Sequence, residues 1–143
     1  MTMERVHLTL SAKPRGVHLV TREILSALPQ IERYETGMLH LFLQHTSAAL
    51  AINENADPDV RRDTETFLRE LIPDGHPGFR HTLEGPDDMP AHLKSMLLGC
   101  ELTIPVAKGR PETGTWQGIY LVEAREYGGP RRIVATLWGD AVQ

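Results

Sequence analysis

A single cysteine, Cys100, leaves the chain without an internal disulfide. With Gly99 and Glu101 beside it, no basic neighbour in sequence activates the thiol, and it reads as an inert, partly buried side chain. Nowhere do about 18 apolar residues run together, so no membrane-spanning helix is expected, and the opening MTMERVHLTL lacks the apolar stretch of a secretory signal. A cytoplasmic location is the resulting expectation. Basic charge is also short. The formal net charge is −4, which argues against a broad nucleic-acid surface, because phosphate binding needs clustered Lys and Arg. Local basic pockets stay open, and the expected partner is a small molecule. Repeats, low-complexity tracts and Gly/Ser linkers are missing too, so residues 1–143, 41% of them hydrophobic, are expected to form one domain with a real core.

What the chain holds in quantity is histidine: seven, several of them in mid-chain beside acidic and amide residues. Histidine is both a common metal ligand and the acid or base suited to neutral pH, so residues 40–92 draw the attention.

Val6, Leu8 and Leu10 alternate with polar residues and predict a strand ending at Ser11. After the turn Lys13–Gly16, Val17 and Leu19 predict a short strand, and Thr21 is expected to cap a helix carrying Ile24, Leu25 and Leu28 that Pro29 stops. Met38–Leu43 is apolar enough for a strand covered on both faces or lying at a subunit contact, and it leads to His45. Ala48–Ile52 predicts another strand. Asp57-Pro58 marks a helix start, with Val60, Thr64, Phe67, Leu68 and Leu71 on one face. Pro73–Pro90, rich in Pro, Gly and Asp, reads as a long functional loop. Pro90 is expected to open a short helix with His92, Leu93, Met96 and Leu97, closed by Gly99. Strands are expected over Leu102–Val106, Trp116–Arg125 and Arg132–Trp138. The sum is an α+β chain: a strand-dominated sheet or sandwich with two or three helices.

Three constellations carry chemistry. The first is His45-Thr46-Ser47 with Asn53, Glu54, Asn55 and Asp57, polar groups flanking a core strand that need partners or a ligand if buried; Asp57 reads first as a helix cap. The second is His81 to Asp88, closed by His92. His45, His81 and His92 are candidates for three nitrogen ligands that leave open positions, as in catalytic zinc sites. His7, His18, His40 and His76 read as structural or exposed. The third is Gly109–Tyr120. Its glycines allow close backbone approach, Trp116 offers a stacking surface, Gln117 an amide, and Lys108 and Arg110 cations for phosphate.

The run His45-Thr46-Ser47-Ala48-Ala49-Leu50 into Asn53–Pro58, then Ala91–Lys94, Ile104-Pro105-Val106, Gly109 and Gly114-Thr115-Trp116-Gln117-Gly118 resembles the YjbQ family in the same order, from about Arg5 to Gly139. The resemblance implies a β-sandwich of two small, mostly antiparallel sheets with helices, assembled as a homotrimer. It implies a secondary thiamine-phosphate synthase activity, a transferase joining an aminopyrimidine diphosphate to a thiazole phosphate. In that reading Thr46, Ser47, Asn53, Asn55, Asp57, Arg110, Thr115, Trp116 and Gln117 bind substrate, and His45 is catalytic. Magnesium, the usual partner of a diphosphate, prefers oxygen ligands, whereas His45, His81 and His92 suit zinc. A metal-dependent hydrolase with Glu54 or Glu84 as proton carrier is the alternative. A non-catalytic small-molecule binder is the third reading.

Overall fold

Alternation of apolar and polar residues decides which face each strand buries, and the computed structural model, which describes residues 1–142, follows that pattern through most of the chain. The element order is β1 (Thr2–Leu10), β2 (Gly16–Leu19), α1 (Thr21–Ser26), a 3-10 turn (Pro29–Arg33), β3 (Tyr34–Leu43), β4 (Ala48–Glu54), α2 (Pro58–Leu71), α3 (Asp88–Leu98), β5 (Glu101–Ala107), β6 (Arg110–Pro111), β7 (Gln117–Glu123) and β8 (Arg131–Ala141). Five strands form one sheet in the order β1-β8-β3-β5-β6 and three form another, β2-β7-β4, with every pairing antiparallel. No helix of the described residues is long and apolar enough to cross a membrane.

The main core lies between the two sheets. Leu8 and Leu10, Leu39, Leu41 and Leu43, Ile104 and Val106, and Ile133, Ala135 and Leu137 project from the larger sheet at every second position. Ala48, Leu50, Ile119 and Leu121 face them from the smaller sheet, closed by Ile24 of α1. Burying one such leucine contributes about 1.5–3 kcal/mol. The smaller sheet is covered on its other face as well, where Ala49, Val122 and Val17 pack with Leu68 of α2. Double coverage explains why β7 is buried at six consecutive positions from Gly118 to Glu123, without alternation.

The structure corrects several expectations. Of the two alternatives for β3, cover on both faces within the chain does not hold, since Leu39, Leu41 and Leu43 are buried but Phe42 is 40% exposed; the subunit-contact alternative is the one compatible with that exposure. Thr21 does not cap α1, whose N-cap is Val20; its hydroxyl accepts a hydrogen bond from the Ile119 N–H of β7 at 2.9 Å. On α2 only Leu68 is buried, and Phe67 and Leu71 stay more than half exposed. Helix α3 begins at Asp88 rather than Pro90, which sits third, where the missing N–H would have been unpaired anyway. That helix also inverts its expected polarity, burying Asp88 and Lys94 while exposing Met96 and Leu97. A helix that breaks the apolar-inside rule points to function.

Candidate functional site

One helical turn sets up the site. Asp88 and His92 are four residues apart at the start of α3 and so share a face. His81 comes from the preceding loop. Asp88 Oδ2 lies 2.6 Å from His81 Nε2 and 3.1 Å from His92 Nε2, and the three candidate ligand atoms all fall within 4.8 Å of one another.

Surrounding groups hold two of the three, Asp88 and His92, from behind. Arg125, just past β7, donates from Nη1 to Asp88 Oδ1 at 2.6 Å, from Nε to Asp87 Oδ2 at 3.0 Å and from Nη2 to the Glu84 carbonyl at 2.9 Å. One guanidinium therefore pins the whole 84–88 segment, and Asp87 also accepts from the Glu126 N–H. Burial pushes the Asp88 carboxyl upward, but the hydrogen bond from His81 and the charge of Arg125 are among the effects that outweigh it and hold it below the usual carboxylate range.

The tautomer of His92 is determined by its other nitrogen. Nδ1 lies 2.9 Å from the Thr46 carbonyl oxygen, which can only accept, so Nδ1 carries a proton. If Nε2 is unprotonated, its lone pair faces a carboxylate oxygen. Either a second proton or a cation between the two resolves the conflict. Two imidazole nitrogens and one carboxylate oxygen suit a transition ion; ligand atoms around a tetrahedral zinc lie about 3.3 Å apart, close to the 3.1 Å contact of His92, while the 2.6 Å hydrogen bond of His81 would have to open to admit one. The carbonyl behind His92 and the arginine behind Asp88 are the outer partners such ligands normally have.

Of the three expected ligands, the structure brings His81 and His92 together and replaces His45 with Asp88. His45 Nε2 accepts the Arg132 backbone N–H at 2.7 Å, which removes that nitrogen as a ligand. Its proton is on Nδ1. Burial, then Arg131 and Arg132, lower its pKa. His45 instead lines a depression of about 440 Å³ with Thr46, His92, Ser95, Met96 and Cys100. His81 borders a second one of about 380 Å³ with His76, Phe79, Pro86 and Met89. The trio thus separates two open hollows.

The remaining expected site residues fall into other places. Glu54 is engaged with its own turn: its carboxylate accepts from the N–H groups of Ala56 and Asp57 at 2.6 and 2.9 Å. Glu84 stays at the rim, its Oε2 3.9 Å from His81 Nε2. Ser47 accepts from Arg131 through both its hydroxyl and its carbonyl, at 3.1 Å each. Asn53 bonds the next N–H, and Asp57 caps α2 by accepting from Asp59 N–H at 2.9 Å. Asn55 donates to the Thr115 and Gln117 carbonyls, Gln117 Oε1 accepts from Gly114 N–H, and Trp116 is 66% exposed. Arg110 is exposed on the edge strand β6 of the other sheet. Gln117 pairs with Glu54 at one end of β4, while Thr46 precedes the other, so the length of the strand, about 20 Å, separates the amide cluster from the histidines.

Two residues were given no role by the sequence: Asp88, named only as the end of the His81–Asp88 run, and Arg125. Asp88 carried a usable signal, the four-residue spacing to His92, hidden by the expectation that the helix opens at Pro90. Arg125 carried none, because 37 residues separate it from its partner.

Comparison with known proteins bears on the whole chain. The model of the family described as UPF0047 protein YjbQ-like matches residues 6–140. The UPF0047 protein YjbQ of Escherichia coli O157:H7 is 58% identical over 133 residues, 93% of this chain and 96% of that protein. The UPF0047 protein YugU of Bacillus subtilis is 40% identical over 112 residues, 78% and 80% of the two chains. Among solved structures, a hypothetical protein of Aeropyrum pernix superposes with a TM-score of 0.83 at 33% identity, over 96% of this chain and 99% of that one. A protein of unknown function from Sulfolobus solfataricus gives the same score at 25% identity, over 97% and 99%.

Proposed function

The chain belongs to the UPF0047 YjbQ-like family, and on that footing we propose that His81, Asp88 and His92 hold a divalent transition ion, most simply zinc, for hydrolysis of a small phosphorylated or related substrate. The observation that carries the reading is the contact of His92 Nδ1 with the Thr46 carbonyl at 2.9 Å, which assigns the proton to Nδ1 and leaves Nε2 facing Asp88 Oδ2 at 3.1 Å. When bound, such an ion supplies a Lewis acid and lowers the pKa of water. The chain's own residues do the rest. Thr46 and Arg125 fix the orientation of His92 and Asp88, so both reach a ligand without reorganising. Neutral His45, with its proton on Nδ1, is a hydrogen-bond donor in the hollow beside His92. Glu84 at the rim, its Oε2 3.9 Å from His81 Nε2, is the carboxylate placed to serve as proton carrier.

The thiamine-phosphate synthase activity implied by the resemblance fits this geometry less well. Trp116, the expected platform for a pyrimidine, lies at the far end of β4, about a strand's length from the histidines. A trimer bringing the two ends of different copies together would restore that reading. The exposed Phe67, Leu71, Met96 and Leu97 are apolar surface that a homotrimer would cover.

Elemental analysis of untagged protein tests the proposal, with Asp88→Ala and His92→Ala as controls and light scattering for the oligomeric state. Near-stoichiometric zinc or another transition metal, lost in both variants, together with phosphoester hydrolysis that chelator abolishes, is the expected result. Metal-free protein that joins the two thiamine precursors with magnesium would overturn it.

A further inference from the structure

We propose that the groove between β2 and α2 is a second site, one that binds the phosphoryl group of a small molecule. The groove spans about 530 Å³, a volume suited to a small ligand, and its walls include Arg61, Arg62 and Arg69; Arg69 Nε donates to Glu65 Oε1 at 2.7 Å and Arg62 Nη1 lies 4.0 Å from Asp59 Oδ1, which among the described residues leaves Arg61 without a carboxylate partner. Arginine forks match phosphate oxygens in pairs, which makes this residue type more telling than lysine would be.

Further positive charge adjoins it. Arg15, whose side chain is 4% exposed, donates to Asp74 at 2.8 and 3.0 Å and to Glu126 at 3.2 Å, with Nε 3.7 Å from Glu65 Oε1. Lys94 of α3 is 1% exposed and shares the surroundings of Arg15, Glu65, Asp74 and Arg69. Among the described residues, four buried side-chain polar atoms have no hydrogen-bond partner: Arg15 Nε, Arg61 Nη1, Lys94 Nζ and Gln30 Oε1. Three of them are cationic donors gathered at this one place. Arg15 is matched by Asp74, Glu126 and Glu65, and Lys94 is buried behind the wall, so the groove's own unpaired donor is Arg61 Nη1, which an anion there would satisfy. Glu65, Asp74 and Glu126 interrupt the basic surface and so favour one compact phosphoryl group over an extended polyanion.

The groove is separate from the metal cluster. His92 and Lys94 are two positions apart on α3, on opposite sides of the helix, and Arg125 and Glu126 divide in the same way between Asp88 and Arg15. Filling the groove therefore displaces no metal ligand.

Calorimetric titration of inorganic phosphate and of pyrophosphate into the full chain, with and without chelator, tests the site. Saturable binding that survives chelator is expected, weakened roughly tenfold or more in Arg61→Gln/Arg69→Gln by loss of charge-assisted hydrogen bonds. Arg62→Gln, at a side chain 80% exposed and so harmless to folding, should weaken it by a smaller factor. Binding that chelator abolishes, or that is unchanged in the arginine variants, would assign the anion to the metal cluster and overturn the proposal. Absence of saturable binding by either probe would also sink it.

Discussion

The two ends of β4 present polar residues in similar number but spend them differently. At the Glu54 end, Asn53, Glu54, Asn55 and Asp57 bond backbone groups of their own turn or of the Thr115–Gln117 segment, so their capacity is consumed in shaping the chain. At the Ala48 end, His81, Asp88 and His92 face one another, with their spare capacity directed inward and their outer sides held by Thr46 and Arg125. A polar cluster whose members are satisfied by backbone is architecture. One whose members confront each other is available for chemistry.

The sharpest way to break this comparison is at the foundation of the histidine end. Glu123, opposite Ala48 in the sheet, is fully buried and receives Arg131 Nε at 2.7 Å, and Arg131 in turn holds Ser47. Glu123→Ala leaves a buried guanidinium unpaired and should cost about 3–5 kcal/mol, read from denaturant unfolding. A loss below about 1 kcal/mol would mean that the pair is solvated and supports nothing.

Next in size is a contrast between the ends. Arg125→Met removes the outer partner of Asp88 and should weaken metal binding about 10–100-fold. Asn55→Ala should leave metal content unchanged while costing stability, about 1 kcal/mol for each of its two hydrogen bonds. Equal effects of both on metal content would erase the distinction.

The smallest effect is the pH response of His45, whose folded pKa lies below the ordinary value of 6.5, first through burial and then through Arg131 and Arg132. The unfolded chain takes up this proton more readily than the folded one, so the contribution is complete above pH 6.5 and is lost as pH falls toward the folded pKa. Melting temperature followed from pH 8 to 5 should therefore fall less steeply in His45→Gln than in wild type. Parallel curves would show that His45 titrates alike in both states.

Much of the fold was legible because strand and helix periodicity is local. The alternation at Val6, Leu8 and Leu10 marked β1, and Asp57-Pro58 marked the start of α2 with its cap. Two of the three cluster members, His81 and His92, were also singled out. His45 was misassigned because a backbone donor from Arg132, 87 residues away, occupies the nitrogen it was expected to offer. The exposed face of α2 was missed because an apolar pattern reports what can be buried, and the chain alone has no surface to cover Phe67 or Leu71.

By itself, then, the sequence determined the longer strands, the buried face of an alternating one such as β1 and two of the cluster's three members, His81 and His92, since these follow from side-chain type and spacing along a few residues. Only the tertiary structure decided that Asp88 completes the cluster, that Arg125 and the Thr46 carbonyl lock it, and that the amide residues lie a strand's length away. Those outcomes depend on the register of β4 against β7 and the seating of α3, which long-range packing alone determines.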